Sequence, residues 1–219
     1  MSYPDPAFVQ ATRLSYDAMA DEYTARFPDG LGERPVDRAL VTAFAEVVRD
    51  HGDAPVADVG SGPGYVTARL AALGLRVFGV DVSPKMVALA RSAHPGLRFH
   101  VGSMTALDLP PQTLGGIAAL YSTIHVPDDH LGAVLTEFHR VLVPGGHLLL
   151  AFQTGEEDGH LLMTERFGLQ ISLDYYLRAP QTMTAALTEA GFGLLSRTVL
   201  EPVGEQRLPR AYVLARKPE

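Results

Sequence analysis

Three glycines and two carboxylates carry the densest potential chemistry in the chain. Asp58-Val59-Gly60-Ser61-Gly62-Pro63-Gly64 is followed, after a gap long enough for a helix, by Val80-Asp81. The order reads as strand, glycine turn, helix and second strand. Glycines let the backbone approach a ligand closely. A helix that opens on such a turn offers N–H groups without partners inside the helix and a partial positive charge. Asp81, at the tip of the next strand, is placed to accept hydrogen bonds from a ribose diol. Together these features imply an adenosine-containing cofactor.

The spacing narrows which one. A GxGxxG turn serves a dinucleotide and its pyrophosphate, whereas Gly60, Gly62 and Gly64 are spaced GxGxG with Asp58 two residues ahead. A carboxylate there opposes a phosphate and favours an ammonium or sulfonium. Asp58 is therefore either an electrostatic partner of a cationic cofactor or a carboxylate that only stabilises the turn. The rival reading is a nicotinamide-dependent oxidoreductase. It needs a later third glycine and a catalytic Tyr–Lys or similar pair, and the lysines are Lys85, beside the second strand, and Lys217, at the terminus. Ser61 and Ser122 lack a nucleophile-elbow setting. His94, His100, His139 and His147 show no metal-ligand spacing, so no metal is expected.

The elements that must hold these residues alternate. Three helices are expected before the first strand. One covers Asp5 to Phe27, the turn signal Pro28-Asp29-Gly30 follows, and Pro35 opens another that ends at His51-Gly52-Asp53. Strands are expected at 55–59, 76–80, 97–101, 116–121 and 147–152, separated by helices at 65–73, 85–92 and 131–142. Ser83-Pro84 supplies an N-cap with proline at the first helical position. A last helix at 182–190, stopped by Gly191, precedes strands at 194–201 and 210–216 joined by a short polar link, which suits an antiparallel hairpin. The whole is α/β: a Rossmann-like seven-stranded, mostly parallel sheet with helices on both faces, a C-terminal antiparallel hairpin and an N-terminal helical cap. One domain spans 1–219, with the cap at 1–50. Residues 153–180 form a long insert carrying His160, Met163, Phe167, Tyr175 and Tyr176, and inserts of this length are expected to be lids or binding segments.

Composition excludes several classes. The chain has 219 residues, a formal charge of −7 and no cysteine. Disulfides, thiolate metal sites and cysteine nucleophiles are excluded, and a cytoplasmic location is expected. No clustered basic face is available for nucleic acid. No apolar run approaches the ~20 residues that span a bilayer, and Met1 to Asp5 lacks the features of a signal peptide. The expected partner is a small molecule, for a monomer or homodimer.

The chain resembles the class I S-adenosylmethionine-dependent methyltransferases. Residues 58–64 match their first motif, Gly79-Val80-Asp81-Val82-Ser83-Pro84-Lys85-Met86 the segment after it, and Leu142-Val143-Pro144-Gly145-Gly146-His147-Leu148 the late motif before the fifth strand. Tyr16-Asp17-Ala18-Met19-Ala20-Asp21-Glu22-Tyr23 is similar to the opening pattern of the ubiquinone/menaquinone-biosynthesis subgroup. The resemblance implies S-adenosylmethionine as methyl donor and S-adenosylhomocysteine as product. It implies Gly60, Ser61 and Gly62 beneath the methionine part, Asp81 on the ribose, and Val82 and Met86 on the adenine. Ser103 and Met104 then line the adenine edge, Tyr121 lies near the methionine portion, and Tyr16 and Tyr23 close the pocket. Two positions depart from the family pattern. Ser103 stands where an Asp commonly takes the adenine amino group, and Gly115-Gly116 replace an acidic residue before the fourth strand.

On the acceptor side, His125 follows the fourth strand and faces the ligand end of an open α/β sheet. It is either a general base or a structural histidine bonded to a nearby carbonyl. His160, Tyr175 and Tyr176 are candidates for contact with substrate, or, respectively, an exposed loop histidine and simple packing. The expected reaction is direct methyl transfer to O, N or C of a small molecule, with a quinone-like ring or secondary metabolite fitting an aromatic-lined insert. The alternative is a protein that binds S-adenosylmethionine or its demethylated product without catalysis.

Overall fold

The computed structural model describes residues 6–27, 34–204 and 206–219. The turn expected at Pro28–Gly30, the N-terminal stretch Met1 to Asp5 and one residue of the last link lie outside the described residues. In chain order the elements are α1 (Ala7–Arg26), α2 (Pro35–His51), β1 (Val56–Val59), α3 (Tyr65–Ala72), β2 (Val77–Asp81), α4 (Pro84–Ala93), β3 (Arg98–Val101), β4 (Leu114–Leu120), a 3₁₀ turn (Thr123–His125), α5 (Asp128–Val141), β5 (Leu142–Gln153), β6 (Gly159–Arg166), β7 (Leu169–Leu177), α6 (Pro180–Glu189), β8 (Gly193–Leu200) and β9 (Arg210–Arg216).

Seven strands form one sheet in the order β3-β2-β1-β4-β5-β9-β8. The first five are parallel, and β9 and β8 join antiparallel. β1 and β4 are buried along their whole length, as expected of central strands covered on both faces. One face is covered by α5, whose Leu131, Val134, Leu135 and Phe138 recur at helical spacing, together with Met183 and Leu187 of α6. The other is covered by Val41, Phe44 and Val48 of α2 and Leu70 of α3. That packing accounts for Gly115-Gly116: a Cβ on Gly116 would lie 2.9 Å from Val48 and 3.0 Å from Phe44, and one on Gly115 would lie 3.0 Å from the Ala54 carbonyl oxygen. The strand order reverses between β1 and β4, so a crevice opens at the carboxyl ends of the strands there.

Three expectations change. Two helices, not three, precede β1 among the described residues. Helix α5 starts at Asp128 rather than Leu131, because Pro127 closes the extended chain and the carboxylates of Asp128 and Asp129 suit a helix N-terminus. The insert is not an irregular loop. It is a second, two-stranded antiparallel sheet, β6 with β7, turned by Phe167 (φ +57) and Gly168 (φ +78). Two residues with positive φ make the tight hairpin turn that usually carries Asn-Gly. Phe at the first position hid it, as did a β6 exposed along most of its length, which removes the alternation that marks a half-buried strand.

Helix α1 packs against β7 and the start of α4. Ser15 Oγ donates to the Ser172 carbonyl and accepts from the Ser172 N–H. Asp17 Oδ1 accepts from Ser83 Oγ (2.6 Å) and the Lys85 N–H (3.1 Å), and Lys85 Nζ pairs with Asp21 at 2.8 Å. Asp17 thus places a negative charge on the N-terminus of α4, where the helix dipole favours it.

Candidate functional site

A cleft of about 1090 Å³, counted to its open mouth, lies at the carboxyl ends of β1 to β4. β1 contributes Asp58 and the turn Gly60-Ser61-Gly62. β2 contributes Asp81 and Val82, α4 Met86, the segment after β3 Ser103 and Met104, and the segment after β4 Tyr121 and His125. Helix α1 closes the other side with Phe8, Val9, Thr12, Tyr16 and Tyr23. The cleft therefore gathers all the residues expected to hold the cofactor, with His125 beside them. His160, Tyr175 and Tyr176 are not among its lining.

Both carboxylates are almost fully buried. Asp81 Oδ2 accepts the Gly62 N–H and Oδ1 the Ser83 N–H, each at 2.8 Å. Those bonds favour its ionised form, yet burial outweighs them and raises its pKa to about 6. Asp58 accepts from Thr67 Oγ1 at 2.6 Å. Burial lifts it to about 7, opposed by the Thr67 hydrogen bonds and assisted by the charge of Asp81. Two acids beside the same turn are thus held in a poorly solvated site and would gain from a cation. The turn itself has little left for a phosphate. The Gly60 and Ser61 N–H groups donate to the Val80 carbonyl, and the Gly62 N–H is held by Asp81.

The glycines divide the turn into a closed side and an open side. A Cβ on Gly60 (φ +79) would fall 2.2 Å from Ser122 Cβ, while at Gly62 (φ +52) no atom lies within 4 Å. Ser122 braces the turn from beneath, its Oγ donating to the Val59 carbonyl at 2.7 Å. Gly62 leaves room on the cleft side, and the Ser61 Oγ is buried with no partner. That hydroxyl packs against β2, 2.7 Å from where a Cβ on Gly79 would fall. Tyr121 has φ +56, a conformation rare for a bulky residue and typical of ligand sites. Its hydroxyl reaches away to Tyr212 and Asp37. The Ser103 Oγ, expected to serve an adenine edge, already accepts the Thr105 N–H and shares a 2.8 Å hydrogen bond with Thr105 Oγ1.

The aromatic side is a hydrogen-bonded group. His125 Nδ1 lies 2.7 Å from the Asp174 carbonyl oxygen and Nε2 lies 2.9 Å from the Tyr16 hydroxyl. A carbonyl only accepts, so Nδ1 carries the proton and Nε2 accepts from Tyr16. Burial lowers the His125 pKa to about 4, and burial raises Tyr16 well above its ordinary value, so both are neutral at pH 7. Both ring nitrogens of His125 are thus engaged, Nδ1 by the Asp174 carbonyl and Nε2 by the Tyr16 hydroxyl. Tyr175 packs edge-on to His125 at 4.8 Å, and its hydroxyl accepts from Arg166 at 2.6 Å. His160 and Tyr176 stack on each other, with His160 Nε2 2.7 Å from Asp174 Oδ1 at an exposed position of the hairpin. The cleft does not reach them.

Sequence reading missed Arg178. Its side chain is 2% exposed; it bonds Asp128 through Nε at 2.9 Å and donates to the carbonyls of Thr123 and Val126. It therefore ties the end of the hairpin to the turn that carries His125. A second missed group is Asp37, whose Oδ1 accepts from Arg210 (2.7 Å) and Tyr212 (2.8 Å), joining α2 to β9. No local pattern marks either residue, because their partners lie far away in sequence.

Comparisons with known proteins return methyltransferases. Residues 56–146 match the family described as methyltransferase domain. A demethylmenaquinone methyltransferase of Chlorobaculum parvum is 36% identical over 92 residues, 42% of this chain and 37% of that protein. An N-demethylindolmycin N-methyltransferase of Streptomyces griseus is 28% identical over 182 residues, 70% of this chain and 76% of that protein. The chain thus spans less than two fifths of the first relative's length. Among solved structures, the DhpI–SAH complex superposes with a TM-score of 0.74 at 24% identity, over 98% of this chain and 99% of that one, a likeness of fold. Among the described residues no helix is long and apolar enough to cross a membrane, and no group of acidic or histidine side chains is arranged to hold a metal ion.

Proposed function

We propose that this chain, which belongs to the class I S-adenosylmethionine-dependent methyltransferases, transfers the methyl of that cofactor directly to a nucleophilic O, N or C of a small molecule. The observation that carries the reading is the pair Asp58 and Asp81. Two buried acids with raised pKa values flank a glycine turn whose N–H groups are committed to the protein. Such a turn is poorly suited to a pyrophosphate and well suited to a ligand with a cation and a diol.

When bound, S-adenosylmethionine supplies an activated methyl on a cationic sulfur. Asp81 would hold its ribose hydroxyls, Asp58 would lower the energy of its positive end, and Ser61 and Gly62 would seat its methionine part. Val82, Met86 and Met104 offer an apolar face to the adenine, beside Ser103. Tyr16, Tyr23 and Tyr121 would shut water out of the reacting end. The protein then contributes mainly by orientation, which supplies roughly 7–11 kcal/mol in favourable cases. His125 acts by fixing Tyr16 rather than by taking a proton, since its basicity is low and its lone pair is occupied. The hairpin of residues 153–180 acts as the lid on the acceptor side, and the cysteine-free composition fits a cytoplasmic enzyme.

Calorimetric titration with S-adenosylmethionine, S-adenosylhomocysteine and NADPH tests the cofactor. Binding of the first two and not the third is expected; binding of NADPH alone would sink the reading. Incorporation of a labelled methyl into an acceptor separates an enzyme from a protein that only binds the cofactor.

A further inference from the structure

We infer that Arg166 determines acceptor specificity, taking a carboxylate of the small molecule that is methylated. The inference rests on the methyl-transfer reading, because it names the class of acceptor for that same cleft.

Arg166 closes β6 at the tip of the hairpin and is partly buried. Its guanidinium carbon lies 5.9 Å from the ring centre of Tyr23, 6.0 Å from that of Phe27 and 4.9 Å from that of Phe167. One of its N–H groups donates to the Tyr175 hydroxyl. No carboxylate pairs with it among the described residues. A guanidinium has five donors in a fixed fork that matches a carboxylate, and among the described residues most of this fork has no acceptor. Aromatic rings stabilise a cation without neutralising it. In a protein of net charge −7, an unpaired arginine among aromatic side chains is the feature an anionic ligand would find.

Two observations point this group at the acceptor rather than at the cofactor. The charge of Arg166 acts on Tyr16, Tyr23, His125 and Tyr175, while the charges acting on Asp58 and Asp81 are other carboxylates. Arg166 does not itself line the cleft; it adjoins Tyr23, which does, and bonds Tyr175 at the aromatic edge. The tip that carries it is also held at a cost. Phe167 sits at φ +57, where a bulky residue is strained. It is clasped by Arg26, 4.6 Å above its ring, and by Phe27, with ring centres 6.2 Å apart. These contacts lay the tip on α1 and so turn Arg166 toward the Tyr16–Tyr23 wall instead of into solvent.

The test uses the full chain saturated with S-adenosylhomocysteine. Benzoate, phenylacetate and indole-3-acetate are titrated against benzamide, phenylacetamide and indole-3-acetamide. The wild type is expected to bind acids about tenfold tighter than the matched amides, the worth of a charge-assisted pair. Arg166→Gln should bring each pair to near equality, and Arg166→Lys should keep part of the preference. Thermal unfolding of both variants checks that the hairpin stays folded. S-adenosylhomocysteine and 5′-methylthioadenosine are titrated in parallel, the second lacking the aminoacyl group. An unchanged ratio between them in Arg166→Gln supports the inference; loss of that ratio would assign Arg166 to the cofactor's own carboxylate and overturn it. Equal binding of acids and amides by the wild type, or binding of neither, also overturns it. Failure of S-adenosylhomocysteine to bind the wild type would instead sink the methyl-transfer reading.

Discussion

On one wall of the cleft, Asp58, Gly60, Ser61, Gly62 and Asp81 all fall within residues 58–81, and their hydrogen bonds close among β1, β2 and the helices that follow. The facing wall draws Tyr16 from α1 and His125 from the 3₁₀ turn, and Asp174 and Tyr175 of β7 back it from outside the lining. Its bonds join residues 109 and 49 positions apart. The first wall is acidic and the second is neutral and aromatic, with Arg166 bonded to Tyr175 behind it. A local turn can be specified by a few residues in order. A wall made of distant segments depends on whatever holds those segments together.

The largest effect should come from cutting that hold. Arg178→Ala removes a buried guanidinium and its bonds to the Thr123 and Val126 carbonyls. We expect a loss of about 3–4 kcal/mol in urea unfolding, and cofactor affinity of the folded protein nearly unchanged. A loss of cofactor binding with normal stability would contradict the separation of the two walls.

Next in size, Asp81→Ala should weaken S-adenosylmethionine binding by about 100-fold, the value of two bonds to a charged group. Near-normal affinity by calorimetry would remove Asp81 from the ribose.

The pH dependence distinguishes the walls further. If the complex requires both carboxylates ionised, S-adenosylmethionine affinity should rise about a hundredfold per pH unit below about 6, about tenfold per unit between about 6 and 7, and level off above about 7. Protons should be released on binding, as calorimetry in two buffers of different ionisation enthalpy can measure. In the ligand-free protein these acids have folded pKa values above their unfolded ones. Their contribution to stability is complete only at low pH and is lost as pH rises through about 6 to 7. His125 runs the other way: its pKa falls to about 4 on folding, so its contribution is complete above pH ~6.5 and is lost as pH falls toward 4. Asp58→Asn should therefore stabilise the ligand-free protein at pH 8 by about 1–2 kcal/mol, with the gain fading as pH falls, while it weakens S-adenosylmethionine. No gain at pH 8 would mean that Asp58 is not strained by burial.

The smallest effect is expected from Tyr16→Phe, which deletes one neutral hydrogen bond to His125, worth about 1 kcal/mol. It should lower turnover more than it lowers cofactor affinity. If turnover instead follows the ionisation of His125 in this variant, the ring acts as a base once its lone pair is released.

Much of the fold was legible. The alternation of strands and helices follows from periodic burial on two faces, and Ser83, Gly74 and Gly191 mark helix ends that the structure keeps. The β6–β7 hairpin was not legible, because Phe167 replaces the usual turn residue and stacking on Arg26 and Arg166 supplies what the local sequence does not. The glycine-turn wall could be read from spacing alone. The position of Tyr175 in the insert marks it as a candidate, but its place against His125, and the contacts of Arg166 and Arg178 around it, leave no trace in the local sequence.

By itself the sequence determined the sheet, the cleft and the chemistry of its acidic wall, since these depend on neighbours a few residues or one strand–helix unit apart. The tertiary structure decided that His125 spends its lone pair on Tyr16, that His160 and Tyr176 stand outside the cleft, and that Arg166 has no carboxylate partner among the described residues. Those facts depend on how the insert folds back across the sheet, and a hydrogen bond between residues a hundred positions apart leaves no periodic trace in the chain.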